Sequence, residues 1–121
     1  MRISADVLRG YTDLILLRRL EEGDSYGYRL NRQIAEISGG NLELKEATLY
    51  TAFRRLEDGG FIRSYWGDEA TGARRRYYAL TDSGREKLRD ETEGWVETRE
   101  ILDLLIGENR DNSIAAEVDS I

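Results

Sequence analysis

The chain has 121 residues, enough for one compact domain plus an appended element but not for two independent cores. Charged residues make up 35% and hydrophobic residues 40%, no apolar run approaches the roughly 20 residues of a membrane span, and the opening Met1-Arg2-Ile3-Ser4 lacks a signal peptide's apolar core, so no membrane association and a cytoplasmic location are expected. With neither histidine nor cysteine, the chain has no ligands for the usual zinc sites and no Cys–His or Ser–His–Asp machinery, so neither an enzyme nor a cofactor is expected.

The net charge of −6 argues at first against nucleic acid, because nucleic-acid binders are usually basic. The distribution of that charge removes the objection. Leu88 to Ile121 carries 3 basic and 10 acidic residues, whereas Glu43 to Lys87 carries 9 basic and 8 acidic. Net charge governs solubility and non-specific association, not what one face can do.

In chain order, the apolar residues Val7, Leu8, Tyr11, Leu14, Ile15, Leu16, Leu17 and Leu20 predict a first helix from about Ala5 to Glu22, apolar on more than one side. Such a helix packs on its own domain and on something else, a second subunit being the natural candidate. Asp24 or Ser25 is placed to cap a second helix, in which Tyr26, Leu30, Ile34 and Ile37 recur at helical spacing until Gly39-Gly40 stops it. A third helix is predicted over Glu46 to Asp58, with Leu49, Phe53 and Leu56 as its buried stripe. Ala47, Thr51 and Arg54 lie opposite, with Thr48 and Arg55 along one edge, a set of small, hydroxyl and guanidinium side chains that can approach DNA and hydrogen-bond to it.

Phe61 to Trp66 and Arg74 to Leu80 read as two strands around the turn-rich stretch Gly67 to Ala73, hence a hairpin with a long loop. Three helices followed by a hairpin is the order of a winged helix-turn-helix, an α+β fold that is mostly α. Thr81 to Gly84 then caps a long helix in which Leu88, Thr92, Trp95, Arg99, Leu102 and Ile106 alternate four and three residues apart, as in a coiled-coil seam. A lone seam of this kind is most simply covered by a second copy. The division expected is a DNA-binding domain over 1–80, a dimerisation helix over 81–106 and a flexible tail over 107–121.

The stretch Glu46-Ala47-Thr48-Leu49-Tyr50-Thr51-Ala52-Phe53-Arg54-Arg55-Leu56-Glu57, followed by Gly60-Phe61-Ile62, closely resembles the third helix of the PadR family of transcriptional regulators. Arg74-Arg75-Arg76-Tyr77-Tyr78-Ala79-Leu80-Thr81 with Gly84 resembles the same family, and Ser64 to Glu69 with Trp95 is similar to its short-form branch of multidrug-responsive efflux-pump repressors. Many relatives carry Ser-Pro entering the third helix where this chain has Lys45-Glu46, and proline where it has Thr51. The resemblance implies a homodimeric repressor of a palindromic double-stranded operator, released by a planar aromatic compound.

Candidate DNA contacts are Lys45, Thr48, Thr51 and Arg54 on the third helix, with Arg55 at its edge and the Tyr50 hydroxyl, which the resemblance places on phosphate. Arg74, Arg75 and Arg76 form the strongest basic run. Guanidinium grips phosphate in a bidentate fork, although strand alternation puts Arg75 on the opposite face from the other two. The blander reading is a solvated arm neutralised by Asp68 and Glu69.

Trp95 at mid-seam is read first as a dimer-core residue. Its seam neighbours Thr92 and Arg99 pack poorly, which leaves room for a planar ligand between two Trp95 rings. The resemblance implies a pore of this kind lined also by Leu14, Leu17, Leu88 and Leu102, with Asp13 and Glu91 as acids and Arg99 standing where an acid would favour cations. A winged-helix protein-interaction module without DNA binding remains the alternative, opposed by the basic hairpin and Arg54-Arg55.

Overall fold

The computed structural model describes residues 1–67 and 74–108; the tip of the hairpin loop with Asp68 and Glu69, and the tail beyond Glu108, lie outside the described residues. The element order is α1 (Ala5–Leu8), α2 (Thr12–Glu21), β1 (Ser25–Tyr26), α3 (Gly27–Ile37), α4 (Glu46–Asp58), β2 (Ile62–Trp66), β3 (Arg76–Leu80) and α5 (Asp82–Ile106). Two compact units are distinguished, Met1–Glu91 and the segment from Thr92 onward, and α5 contributes residues to both.

The single first helix expected from Ala5 to Glu22 is two pieces. Arg9 leaves the helical region at ψ 119°, and Gly10 takes a φ of +98°, a conformation that costs glycine little and a side-chain-bearing residue much more. Apolar spacing continues across the break, so periodicity alone could not place it. α2 then buries Leu16, Leu17 and Leu20.

Ser25 and Tyr26, expected as a helix cap and first turn, form a two-residue strand against Tyr78 and Tyr77. A strand this short has no alternation to read, and its partner lies some 50 positions further along the chain. The Tyr65 hydroxyl donates to Asp24 Oδ2 at 2.6 Å, and Arg29 donates to the Asp24 carbonyl at 2.8 Å and to Ser25 Oγ at 2.9 Å. The segment before α3 is thereby held from both sides.

α3 buries Leu30 and Ile34, but Ile37 is 66% exposed and does not continue the stripe. The link from α3 to α4 is pinned by two side chains. Asn31 donates to the Leu44 carbonyl at 2.8 Å and accepts from the Leu44 amide at 3.0 Å, as a strand partner would. Ser38 Oγ accepts from the Leu42 amide at 3.0 Å, while Leu42 and Leu44 drop their side chains into the core. These contacts satisfy backbone groups of a segment with no ladder of its own.

α4 spans the predicted Glu46–Asp58 and buries Leu49, Ala52, Phe53 and Leu56. Its N-cap, Lys45, offers no side-chain acceptor, and Glu46 in the first turn meets the positive end of the helix dipole instead. β3 lies between β1 and β2 in an antiparallel sheet of order β1-β3-β2, with Ile62 opposite Leu80 and Trp66 opposite Arg76. Alternation sends Tyr78 inward, where its ring stacks on Phe53 at 4.0 Å. Thr81 caps α5 by accepting from the Gly84 amide at 3.1 Å, and Leu88 closes the core. Among the described residues no helix is long and apolar enough to cross a membrane.

Two glycines of α5 should respond oppositely to the same change. A Cβ at Gly84 would collide with the Phe61 carbonyl, whereas one at Gly94 would meet nothing within 4 Å. Gly84→Ala should lose about 1–3 kcal/mol through overpacking, and Gly94→Ala should gain roughly 0.5–1 kcal/mol from helix propensity, both measured by urea unfolding. Alkaline pH gives a second prediction. The hydrogen bond to Asp24, more than desolvation, raises the Tyr65 phenol above its ordinary value of about 10. The folded chain then keeps a proton that the unfolded chain releases, so this contribution is complete below about pH 10 and is lost as pH climbs through the raised value. Ultraviolet tyrosinate titration should show one tyrosine moving to lower pH in Asp24→Ala, with a shallower alkaline loss of stability.

Candidate nucleic-acid interface

Burying one face of α4 determines what the other can do. With Leu49, Ala52, Phe53 and Leu56 inward, Lys45, Ala47, Thr48, Thr51 and Arg54 are all exposed. The four polar members sit three or four positions apart, so they form one stripe along the helix. Tyr50 lies at its margin, 43% exposed, with its ring edge-on to Phe53 at 5.7 Å. Its hydroxyl rests over the start of α3, where a Cβ on Gly27 would come within 2.8 Å of it.

That contact identifies residues that the sequence did not single out. Gly27, Tyr28, Asn31 and Tyr50 line a cleft of about 220 Å³ between the first turns of α3 and α4, and Tyr28 is 72% exposed. The only hint in the sequence was glycine at the first position of a helix. A wider groove of about 660 Å³ runs past the N-terminal segment and α2 to the start of α4, where Arg2, Arg9, Asp13, Lys45, Thr48 and Arg55 line it.

The two edge arginines of α4 differ. Arg54 has no ion-pair partner among the described residues. Arg55 donates through Nε at 3.0 Å and Nη2 at 2.5 Å to the two oxygens of Asp13 on α2, and that hydrogen bond raises its pKa against the opposing effect of desolvation. Its fork faces α2.

The hairpin arginines also separate. The Arg75 guanidinium lies 4.7 Å from the centre of the Tyr26 ring, whereas Arg74 and Arg76 lie 5.6 and 5.9 Å from that of Trp66. All three are exposed. Arg76 is further engaged, donating to Ser64 Oγ at 2.8 Å and to Glu57 Oε1 at 3.4 Å, while Ser64 donates to Glu57 Oε2.

The residues expected to line a ligand site fall into different surroundings. Leu17 and Leu88, at 0% and 1% exposure, are spent in the core of the first unit and present no surface, because the turns that carry them pack under the sheet and α4. Leu14 packs against that core, and Glu91 pairs with Lys87 at 2.6 Å. In the second unit, Trp95, Arg99 and Leu102 are exposed along one side of the helix with half-buried Thr92, and the Arg99 guanidinium stacks 4.6 Å over the Trp95 ring. Ile101, Leu104, Leu105 and Ile106 are exposed as well.

The chain matches the transcriptional regulator PadR-like family over residues 16–90. It is similar to the solved structure of a transcriptional regulator from Clostridium thermocellum, 42% identical, with a TM-score of 0.79 over 86% of this chain and 98% of that one. A PadR family regulator from Clostridium difficile is 33% identical, with a TM-score of 0.72 over 80% of this chain and 99% of that one. Bacillus subtilis PadR, solved in complex with operator DNA, is 29% identical, with a TM-score of 0.60 over 66% of this chain and 45% of that one. A family match across more than half of the sequence, on a winged-helix frame that fits it, decides the assignment: the chain belongs to the PadR-like family of transcriptional regulators, whose members regulate genes and are not enzymes.

Proposed function

We propose that this protein is a homodimeric repressor that binds a palindromic operator through two copies of α4 and is released by a planar aromatic compound at its dimer interface. The carrying observation is the exposed stripe Lys45, Thr48, Thr51 and Arg54 on a helix whose opposite face is locked into the core. Its side chains combine a cation, two hydroxyls and a guanidinium, the donors that read base edges and grip phosphate in a major groove. A relative of the same fold is solved on operator DNA, which supports the same use here. Tyr50, Arg74 and Arg75 are placed in this reading on backbone phosphate, and residues 1–80 form the DNA-binding part.

Dimerisation is assigned to the C-terminal helix over 81–106. Six large apolar side chains between Trp95 and Ile106 are exposed in the single chain, more than a soluble monomer usually leaves in one stretch. Two such helices paired about a two-fold axis would set the spacing of the two reading heads, as half-site geometry requires. A ligand acts as an inducer only by preferring one spacing over the other. Trp95 supplies the stacking surface, with Thr92 and Leu102 beside it. Because the Arg99 guanidinium already covers one face of the ring, anionic and neutral planar compounds are favoured over cations.

Fluorescence anisotropy on the chain's own promoter region tests the DNA reading. Lys45→Ala and Arg75→Ala should each weaken binding, and each should make the slope of log affinity against log salt shallower by about 0.9. Unchanged slopes with an altered sequence preference would reassign both residues from phosphate to bases. For the ligand, titration with planar dyes of different charge should show Trp95→Ala dimeric yet weaker for anionic and neutral dyes. Trp66 also emits, so the mutant supplies the background. A dimeric Trp95→Ala with undiminished dye affinity would leave Trp95 as a packing residue only.

A further inference from the structure

Two of the arginines that sequence alone marks as DNA contacts are turned onto carboxylates instead, and both of these contacts involve α4. Arg55, on the helix itself, clasps Asp13 of α2 with two bonds, in the side-by-side geometry that uses the guanidinium fork fully. Two positions further on, Glu57 accepts from Ser64 of β2 and from Arg76 of β3, while Arg76 also donates to Ser64. α4 is therefore tied near its C-terminal end to the helix α2 and to the hairpin after it, by ion pairs of opposite polarity. The apolar stripe buries α4 but is non-directional, so it resists small rolls and slides of the helix weakly. Fork-and-carboxylate pairs are directional and fix those two degrees of freedom.

We propose that Arg55 and Arg76 are positioning residues that hold α4 in its reading pose through Asp13 and Glu57, and that they do not themselves contact DNA. The inference rests on the DNA-binding reading given above. A guanidinium committed to a carboxylate carries no net charge to the phosphate surface, so its loss releases no counterion contact. What it alters is the alignment of Lys45, Thr48, Thr51 and Arg54 with bases. Specificity falls; the salt response stays.

The test uses the full chain, with affinity for operator and for unrelated duplex DNA measured across a salt series. Asp13→Asn combined with Arg55→Gln removes one charge of each sign and leaves the net charge unaltered. Operator affinity should then drop by about tenfold, with the salt slope and the affinity for unrelated DNA unchanged. The exchanged pair Asp13→Arg with Arg55→Asp should recover most of the loss, which a general loss of stability would not permit. Arg76→Gln should likewise leave the slope as it is. Should either variant prove unfolded by circular dichroism, Arg55→Lys, which keeps the charge but loses the fork, should lower operator affinity without changing the slope. A slope shallower by about 0.9 in Arg55→Gln, together with full operator affinity in Asp13→Asn, would make Arg55 a phosphate contact and overturn the proposal. Wild-type protein without salt-dependent DNA binding would overturn the underlying reading and this inference with it; the former result would overturn this inference alone.

Discussion

The stacking of Phe53 on Tyr78 joins α4 to the middle strand of the sheet, and the rest of the first unit is arranged around that contact. The rings lie 4.0 Å apart and nearly parallel, and both residues are almost wholly buried. Each ring removes a large apolar area from water, and at about 25 cal/mol per Å² no other pair type of similar length contributes as much. Tyr78 also sits opposite Ser25 on one side and Ser64 on the other, so the same residue joins β1, β2 and α4. Once Phe53 is fixed there, helical geometry puts Leu49, Ala52 and Leu56 inward and the polar stripe outward. Exposure of the reading face follows from burial of its reverse.

The polar contacts refine what the core leaves loose. Asn31 and Ser38 supply hydrogen bonds to a link that has no secondary structure of its own, and so set where α4 begins. Thr81 caps α5, and both it and Ser83 donate to the Gly60 carbonyl, which anchors the start of α5 to the end of α4. Exposed ion pairs contribute little to stability individually. Their consequence here is orientation, because the groups being oriented are those of the reading helix.

The C-terminal helix has a different character. Gly84 and Leu88 belong to the first core, whereas beyond Thr92 the side chains have few neighbours within the chain. The stack of Arg99 on Trp95 is the local answer to an exposed indole, covering one of its faces with a weakly hydrated cation. It also means that any ligand on that face meets a positive charge.

Periodicity and turn chemistry determined much of this protein. The bounds of α4 came directly from its apolar stripe and the glycines after it, and the hairpin and the cap at Thr81 from aromatic-rich strands and hydroxyl residues. Family resemblance in Glu46 to Glu57 and Arg74 to Thr81 agreed with that frame. Other features required the folded chain. The break at Gly10 interrupts no apolar pattern, and β1 exists only because β3 lies beside it. Ile37 fits the stripe by spacing, but α3 ends before its neighbours can cover that side chain. Leu17 and Leu88 look like seam residues in one dimension and are core residues in three. Arg55 and Arg76 carry the same charge as Arg54 and Arg75, and only the positions of Asp13 and Glu57 distinguish them. Local sequence encodes propensity and pattern; which carboxylate meets which guanidinium depends on how elements far apart in the chain pack together.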